Sequence, residues 1–260
     1  MRRLNPIAAA GFSSAAEVYE QARPSYPQEA VDWIVSRTGL GPGRTVVDLG
    51  AGTGKLTRLL VSSGARVVAV EPLAEMRAKL IEVVSDVEAL DGAAEDMPVA
   101  DGSADVVTCA QAFHWFELEL ALPELARVIV PGGFLVLVWN TRDLDDGLQQ
   151  AMEAVLEPHR GYVAGQLRTG EWRSELGASP LFGEVEERSF RYDHQVSGDD
   201  VVGRVASTSF VAAMSPVDRD VVLAQIRALV IDRPEPIPLM YRTEVFVVPR
   251  SREAVPHSRD

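Results

Sequence analysis

The stretch Val46-Val47-Asp48-Leu49-Gly50-Ala51-Gly52-Thr53-Gly54-Lys55-Leu56-Thr57 decides how this chain is read. The run Thr45 to Leu49 has the composition of a buried strand. It passes directly into three glycines within five residues and then into a helical stretch, Lys55 to Ser62. Glycine suits such a turn because it adopts positive φ and lets a ligand approach the backbone. The helix that follows offers N–H groups with no partner inside the helix. Asp48 stands two residues before the first glycine. A second buried run, Arg66 to Glu71, ends on another acid twenty-one residues after Gly50. An acid at that place accepts hydrogen bonds from both hydroxyls of a ribose, and ligands of open α/β sheets sit at these strand ends.

Two common nucleotide patterns fail here. A P-loop requires G-x-x-x-x-G-K-[ST], but Leu49 and Leu56 occupy its two ends. A dinucleotide fingerprint requires G-x-G-x-x-G, but its third glycine position is Lys55. What remains is G-x-G-x-G with an acid on its flank. Carboxylates repel a pyrophosphate and attract a ligand with ammonium and sulfonium groups.

Outward from the turn, short apolar runs alternate with helical stretches. A helix is expected over Leu73 to Val84, a weaker strand over Val87 to Leu90 and a strand over Ala104 to Ala110. A helix follows over Glu117 to Val130, stopped by Pro131-Gly132-Gly133, and then a strand over Phe134 to Trp139. Continuous apolar strands separated by helices predict a parallel sheet covered on both faces. Before the first strand, Pro24 and Pro27 divide Phe12 to Leu40 into two short helices. After the core, Gly147 to Glu157 and Gly170 to Leu176 read as helices, and Glu184 to Val196 and Tyr241 to Val248 as strands. Between those strands lie helical stretches over Asp199 to Ala213 and Pro216 to Ile231, then a Pro-rich loop, Arg233 to Pro238. This predicts an N-terminal helical segment (1–43), a ligand-binding core (44–145) and a sheet completion (146–250) with an inserted helical cap over about 198–238. A polar tail (251–260) is expected to be disordered.

Composition narrows the function. The chain has 260 residues, 47% hydrophobic and 24% charged, as expected of a globular protein. Acidic residues outnumber basic ones 38 to 25, and the net charge of −13 disfavours nucleic acid and anionic membranes as partners. Cys109 is the single cysteine, so neither a disulfide within the chain nor a cysteine metal knuckle is available. The four histidines show no H-x-x-H or H-E-x-x-H spacing, and no metal is expected. Met1 to Gly11 lacks the apolar core of a signal peptide, and the apolar run Phe134 to Trp139 is too short to span a bilayer. A cytoplasmic protein with no membrane partner is expected.

The order DLGAGTG, then VAVEP, resembles the class I S-adenosylmethionine-dependent methyltransferases. Three further segments match in order: Ala93-Ala94-Glu95-Asp96-Met97-Pro98, Ser103-Ala104-Asp105-Val106-Val107 and Pro131-Gly132-Gly133. Together they cover Thr45 to Asn140. The resemblance implies a Rossmann-like, seven-stranded, mostly parallel sheet with one antiparallel strand. It places Gly50, Ala51, Gly52 and Gly54 beside the methionine part of S-adenosylmethionine, with S-adenosylhomocysteine as product. Glu71 would bind the ribose, with Pro72 and Met76 beside it, and Asp48 would orient the amino-acid end. Ala94 and Glu95 would flank the adenine, with Asp96 next to them, and Gln111 would lie near the cofactor. YEQARPSYP (residues 19–27) and Gln111 to Phe116 resemble a subgroup that includes trans-aconitate methyltransferase-like proteins. That likeness implies a small-molecule acceptor and lets Tyr19 and Arg23 close the site.

The acceptor side carries fewer signals. A carboxylate or a hydroxyl is compatible with the chain. His114, just past the fourth strand, is the candidate general base for a hydroxyl. Arg142, Arg173, Arg204 and Arg242 are candidate clamps for an acidic acceptor, because guanidinium grips carboxylate in a fork. Two alternatives stand beside methyl transfer: a nicotinamide-dependent oxidoreductase and a non-catalytic cofactor-binding partner protein.

Overall fold

The computed structural model describes residue 20, residues 23–159 and residues 171–252. Tyr19, the start of the expected N-terminal helical pair and the tail from residue 253 lie outside these residues. Seven strands form one sheet: β1 (Thr45–Leu49), β2 (Arg66–Val70), β3 (Glu88–Leu90), β4 (Ala104–Ala110), β5 (Ile129–Arg142), β6 (Glu186–Val196) and β7 (Ile237–Pro249). Their spatial order is β3-β2-β1-β4-β5-β7-β6. The first five are parallel, and β7 runs antiparallel between β5 and β6.

Alternate residues of each central strand feed two different cores, as the two-residue repeat of a strand requires. Val47, Val107, Leu135 and Leu137 pack with helix α4 (Leu118–Val128) and helix α6 (Glu171–Ala178). Val46, Val106, Val136 and Val138 pack on the other side with α1 (Gln28–Thr38) and residues around α2 (Thr57–Val61). Both faces are covered, which is why these strands read as uninterrupted apolar runs. Helix α3 (Ala74–Val83) lies between β2 and β3 in the chain.

Helix α5 (Gly147–Leu156), α7 (Gly198–Ala206), α8 (Ser209–Ala212) and α9 (Pro216–Val230) surround a third apolar cluster with Ile237, Leu239 and Tyr241 of β7. This is the cap. Its helices begin at strong local signals. Ser197 and Asp200 form a reciprocal capping box at α7, and Ser215 caps α9 with Pro216 in its first turn.

Three boundaries differ from the sequence expectation. The helix expected to reach Val130 ends at Val128, and β5 begins at Ile129, running through Pro131-Gly132-Gly133. Ala104 pairs with Ile129 and Val106 with Phe134, so the extra residues bulge out of the ladder and Gly132 takes φ 78°. Strand β7 begins at Ile237, inside the Pro-rich loop, because β6 pairs with it along eleven residues. Pro238 lies past the last residue paired to β5, where a strand has one neighbour and tolerates proline. The stretch Asp199 to Ala213 divides into α7 and α8 around Ser207 and Thr208.

Candidate active site

The glycine-rich turn leaves β1 and is held against β2: the N–H groups of Gly50 and Ala51 donate to the Val70 carbonyl at 2.8 and 3.2 Å. Gly50 has φ 66°, and a Cβ there would stand 2.6 Å from the Ala112 Cβ, so the turn presses on the segment after β4. Gly52 has φ 58°, and a Cβ there would meet no atom within 4 Å. The backbone is therefore approachable at Gly52. Gly54 instead lies against Leu80 and Val84, beside α3.

Glu71, one residue past β2, is buried, and its carboxylate accepts the N–H of Gly52 at 2.8 Å and of Leu73 at 2.9 Å. Burial raises its pKa, opposed by those two N–H groups and the charge of Arg77. Each oxygen keeps lone pairs for further donors, which suits a vicinal diol. Pro72 follows at the half-buried start of the next segment, and Met76 is buried in the first turn of α3.

Asp48 is buried in β1 and does not line the cleft described below. Its two oxygens accept the hydroxyls of Thr57, at 2.6 Å, and Thr108, at 2.8 Å. Burial pushes the carboxyl up to about 6 against those hydrogen bonds. Asp48 thus ties β1 to the start of α2 and to β4.

A cleft of about 580 Å³, mouth included, opens beside the turn. Gly50 to Thr53, Lys55 and Leu56 form one wall, and Ala110, Gln111 and Asn140, at the C-terminal ends of β4 and β5, form another. Arg23, Pro24 and Tyr26 of the N-terminal segment and Arg204 of α7 complete it. Gln111 holds φ 57°, an uncommon conformation for a non-glycine residue, and its side chain donates to the Asn140 carbonyl at 3.0 Å. The Asn140 side chain in turn donates to the Ser25 carbonyl at 2.9 Å, and Arg23 donates to the Ser207 carbonyl at 3.0 Å. The N-terminal segment is thus stitched to the sheet end and to the cap. Glu20 adds a third stitch: its carboxylate accepts the Thr53 hydroxyl at 2.6 Å and the Arg58 guanidinium at 2.6 Å, with Lys55 at 3.7 Å.

Of the other expected residues, Gly54, Glu71, Pro72, Met76, Ala94, Glu95 and Asp96 do not line the cleft either. Ala94 is buried, Glu95 is half-buried with its carboxylate accepting the Glu117 N–H at 2.9 Å, and Asp96 is exposed. His114 does not line the cleft. Burial pushes its imidazole down to about 3, and its Nδ1 has no hydrogen-bond partner among the described residues. Of the four arginines, Arg142 pairs with Glu153 at 2.9 Å, Arg173 with Glu187 at 2.7 Å, and Arg242 with Asp143 and Asp145 at 3.1 and 2.8 Å. Arg204 alone of the four reaches the cleft, 7% exposed, with its guanidinium 4.6 Å from the centre of the Tyr241 ring.

Comparison with known proteins places this geometry in a family. Residues 47–137 match a methyltransferase domain. An uncharacterized methyltransferase of Mycobacterium tuberculosis (strain ATCC 25618 / H37Rv) is 42% identical over 190 residues, covering 69% of this chain and 76% of its own. The chain belongs to the S-adenosylmethionine-dependent methyltransferases. An uncharacterized methyltransferase of Schizosaccharomyces pombe is 32% identical over 244 residues, 92% of this methyltransferase and 94% of its relative. In fold it is similar to phosphoethanolamine N-methyltransferase 2 of Haemonchus contortus, solved with phosphomonomethylethanolamine and S-adenosylhomocysteine. The TM-score is 0.58 at 14% identity, covering 96% of this chain and 61% of that one. Membership of this family replaces the nicotinamide and non-catalytic alternatives. Among the described residues of the methyltransferase, no helix is long and apolar enough to cross a membrane.

Sequence reasoning did not assign Asn140, Lys55, Tyr26 or Glu20 to the site. Asn140 carried a usable signal, a polar residue at the C-terminal end of a central apolar strand.

Proposed function

We propose that this methyltransferase acts on a small acceptor bearing a carboxylate, held by Arg204 beside the glycine-rich turn. One observation carries the reading. The described residues lining the cleft include no carboxylate or imidazole and three cationic side chains, of which Arg23 and Lys55 would serve the cofactor's carboxylate and Arg204 an acidic acceptor, in a chain of net charge −13. A carboxylate is already ionised at neutral pH, so its methylation needs no base. A hydroxyl would need a proton acceptor, and the cleft offers neither His114 nor an acid. Likeness to trans-aconitate methyltransferase-like proteins in residues 19–27 supports a small molecule.

The open backbone at Gly52 and the paired acceptor oxygens of Glu71 fit S-adenosylmethionine. When bound, that group supplies a methyl on a sulfonium, already an excellent leaving group. Glu71 takes the ribose, and Gly50, Ala51 and Gly52 pass the methionine chain. Arg23 and Lys55 would hold its carboxylate, and Gln111, on the other wall of the cleft, would lie near it. Ala94 and Glu95 flank the adenine, with Asp96 at the solvent edge. Gly54, Pro72 and Met76 support the turn and the start of α3, and Asp48 acts indirectly through Thr57 and Thr108. The stitched segment Arg23 to Pro27 and the inserted helices would exclude water. What the chain contributes is alignment and dryness.

The test uses the full chain. Calorimetric titration with S-adenosylmethionine, S-adenosylhomocysteine and NAD is expected to give binding to the two sulfur nucleotides only. Labelled methyl transfer is then measured to short mono- and dicarboxylates and to their primary amides as neutral controls. Transfer to acids and not to amides is expected, with Arg204→Met losing it at unchanged cofactor affinity. Equal transfer to amides, or an indifferent Arg204→Met, overturns the acid acceptor and leaves methyl transfer standing.

A further inference from the structure

Seven large apolar side chains are exposed among the described residues, and three share one face of α9 and its C-terminal cap. They are Val217, Val221 and Ile231, at 74, 54 and 70% exposure. Ala224 and Ala228, also exposed, lie between them. The spacing along this face is four, three, four, three, the apolar repeat with which one helix packs on another. The opposite face of α9, with Val222, Ile226 and Val230, is already buried in the cap. A surface helix normally carries one apolar face; α9 carries two, and the second faces solvent.

The charges beside this stripe select the occupant. Asp220 immediately precedes Val221, and Arg227 immediately precedes Ala228, so the two lie seven residues apart on the same flank with opposite sign. When two copies of α9 run antiparallel about a two-fold axis near Ala224, Asp220 of each copy lies across from Arg227 of the other. Flanking charges of this kind set partner and orientation in paired helices. This flank is self-complementary about the two-fold axis, as a closed dimer requires, while the other flank carries Asp218, Gln225 and Asp232, whose two acids have no such partner. The small side chains of Ala224 and Ala228 let the helix axes approach. Within the chain Arg227 meets Asp199 at 3.7 Å with both side chains well exposed, a weak pair that exchanges easily.

We propose that this face of α9 is the interface of a homodimer in which the two helices pack antiparallel, joined by two Asp220–Arg227 ion pairs. Because α9 packs on α7, which carries Arg204, the interface stiffens the cap above the cleft.

Sedimentation and light scattering of the full chain are expected to give twice the 28.2 kDa chain mass. Val221→Glu places a charge in the seam without touching the cap core, and is expected to give monomers that keep the parent's circular-dichroism spectrum, with a Tm no longer dependent on protein concentration. Asp220→Arg and Arg227→Asp are each expected to raise the dimer dissociation constant more than about tenfold, and the double reversal to restore it to within about threefold. A monomeric parent chain, or a dimer indifferent to Val221→Glu, overturns the interface. A dimer broken by Val221→Glu that the double reversal does not rescue overturns the antiparallel pairing.

Discussion

The Glu71 carboxylate accepts the Gly52 N–H at 2.8 Å, so the end of β2 and the turn after β1 form one rigid unit. Under the proposed function the same side chain also takes the ribose of S-adenosylmethionine. Glu71→Gln keeps an acceptor for one N–H and loses the charge and the second acceptor. It is expected to raise the dissociation constant of S-adenosylmethionine more than tenfold, about 1.4 kcal/mol, with a fall in Tm from the backbone N–H left without an acceptor. Calorimetry on both proteins decides it; unchanged affinity in a stable variant removes Glu71 from the ribose site.

Asp48 links protonation to stability. Burial raises its carboxyl from 3.8 to about 6, so the native state holds this proton more tightly than the unfolded chain. Its contribution is most favourable below about 4, declines as pH rises to about 6, and stays unfavourable above that. The displacement corresponds to about 3 kcal/mol. Asp48→Asn removes the titration, and either threonine hydroxyl can rotate to accept from the amide. Urea denaturation across that window is expected to show the native chain losing stability relative to the variant as pH rises. Parallel pH curves would contradict this account.

His114 is expected to be dispensable for the transfer step. An imidazole pushed down to about 3 is a weak base, and it lies outside the cleft lining. Loss of a general base costs about 10²–10⁴ in rate. His114→Asn is expected to keep kcat within about tenfold, with the same pH profile between pH ~5 and ~8. A fall into the general-base range would restore the residue to the mechanism.

Glu20 is expected to control cofactor release. Its carboxylate bridges Thr53 and Arg58 across the turn, with Lys55 close by. Glu20→Ala removes that stitch and leaves Asn140–Ser25 and Arg23–Ser207 to hold the segment. Stopped-flow displacement is expected to show dissociation of S-adenosylhomocysteine faster by about tenfold, roughly 1.4 kcal/mol. An unchanged off-rate means the segment does not gate the cofactor.

Much of the fold was written locally. β1, β2, β4 and the apolar part of β5 are buried on both faces, so their runs could be read without knowing their neighbours. The turn at Gly50 and Gly52 was equally local, because positive φ and a close backbone approach select glycine wherever the chain meets them. Glu71 at the end of β2 followed from the same strand reading. The bulge at Pro131-Gly132-Gly133 and the early start of β7 were not legible, because each is set by the register of a partner strand.

The sequence by itself determined the central strands, the turn and the acid beside it, since periodicity and glycine record which face a residue shows and which backbone angles it must take; the seven-strand order was implied only by the family resemblance. The tertiary structure alone decided that Asp48 is held by Thr57 and Thr108, that His114 does not line the cleft, that Asn140 and Arg204 meet at it, and that Glu20 ties down the turn beside it. Such convergence joins residues far apart in the chain. The physical reason is that burial, charge and hydrogen bonding belong to pairs of groups, while a sequence pattern specifies each group singly. Of the four arginines that sequence alone could not rank, only the one carried by α7 was brought to the ligand cleft.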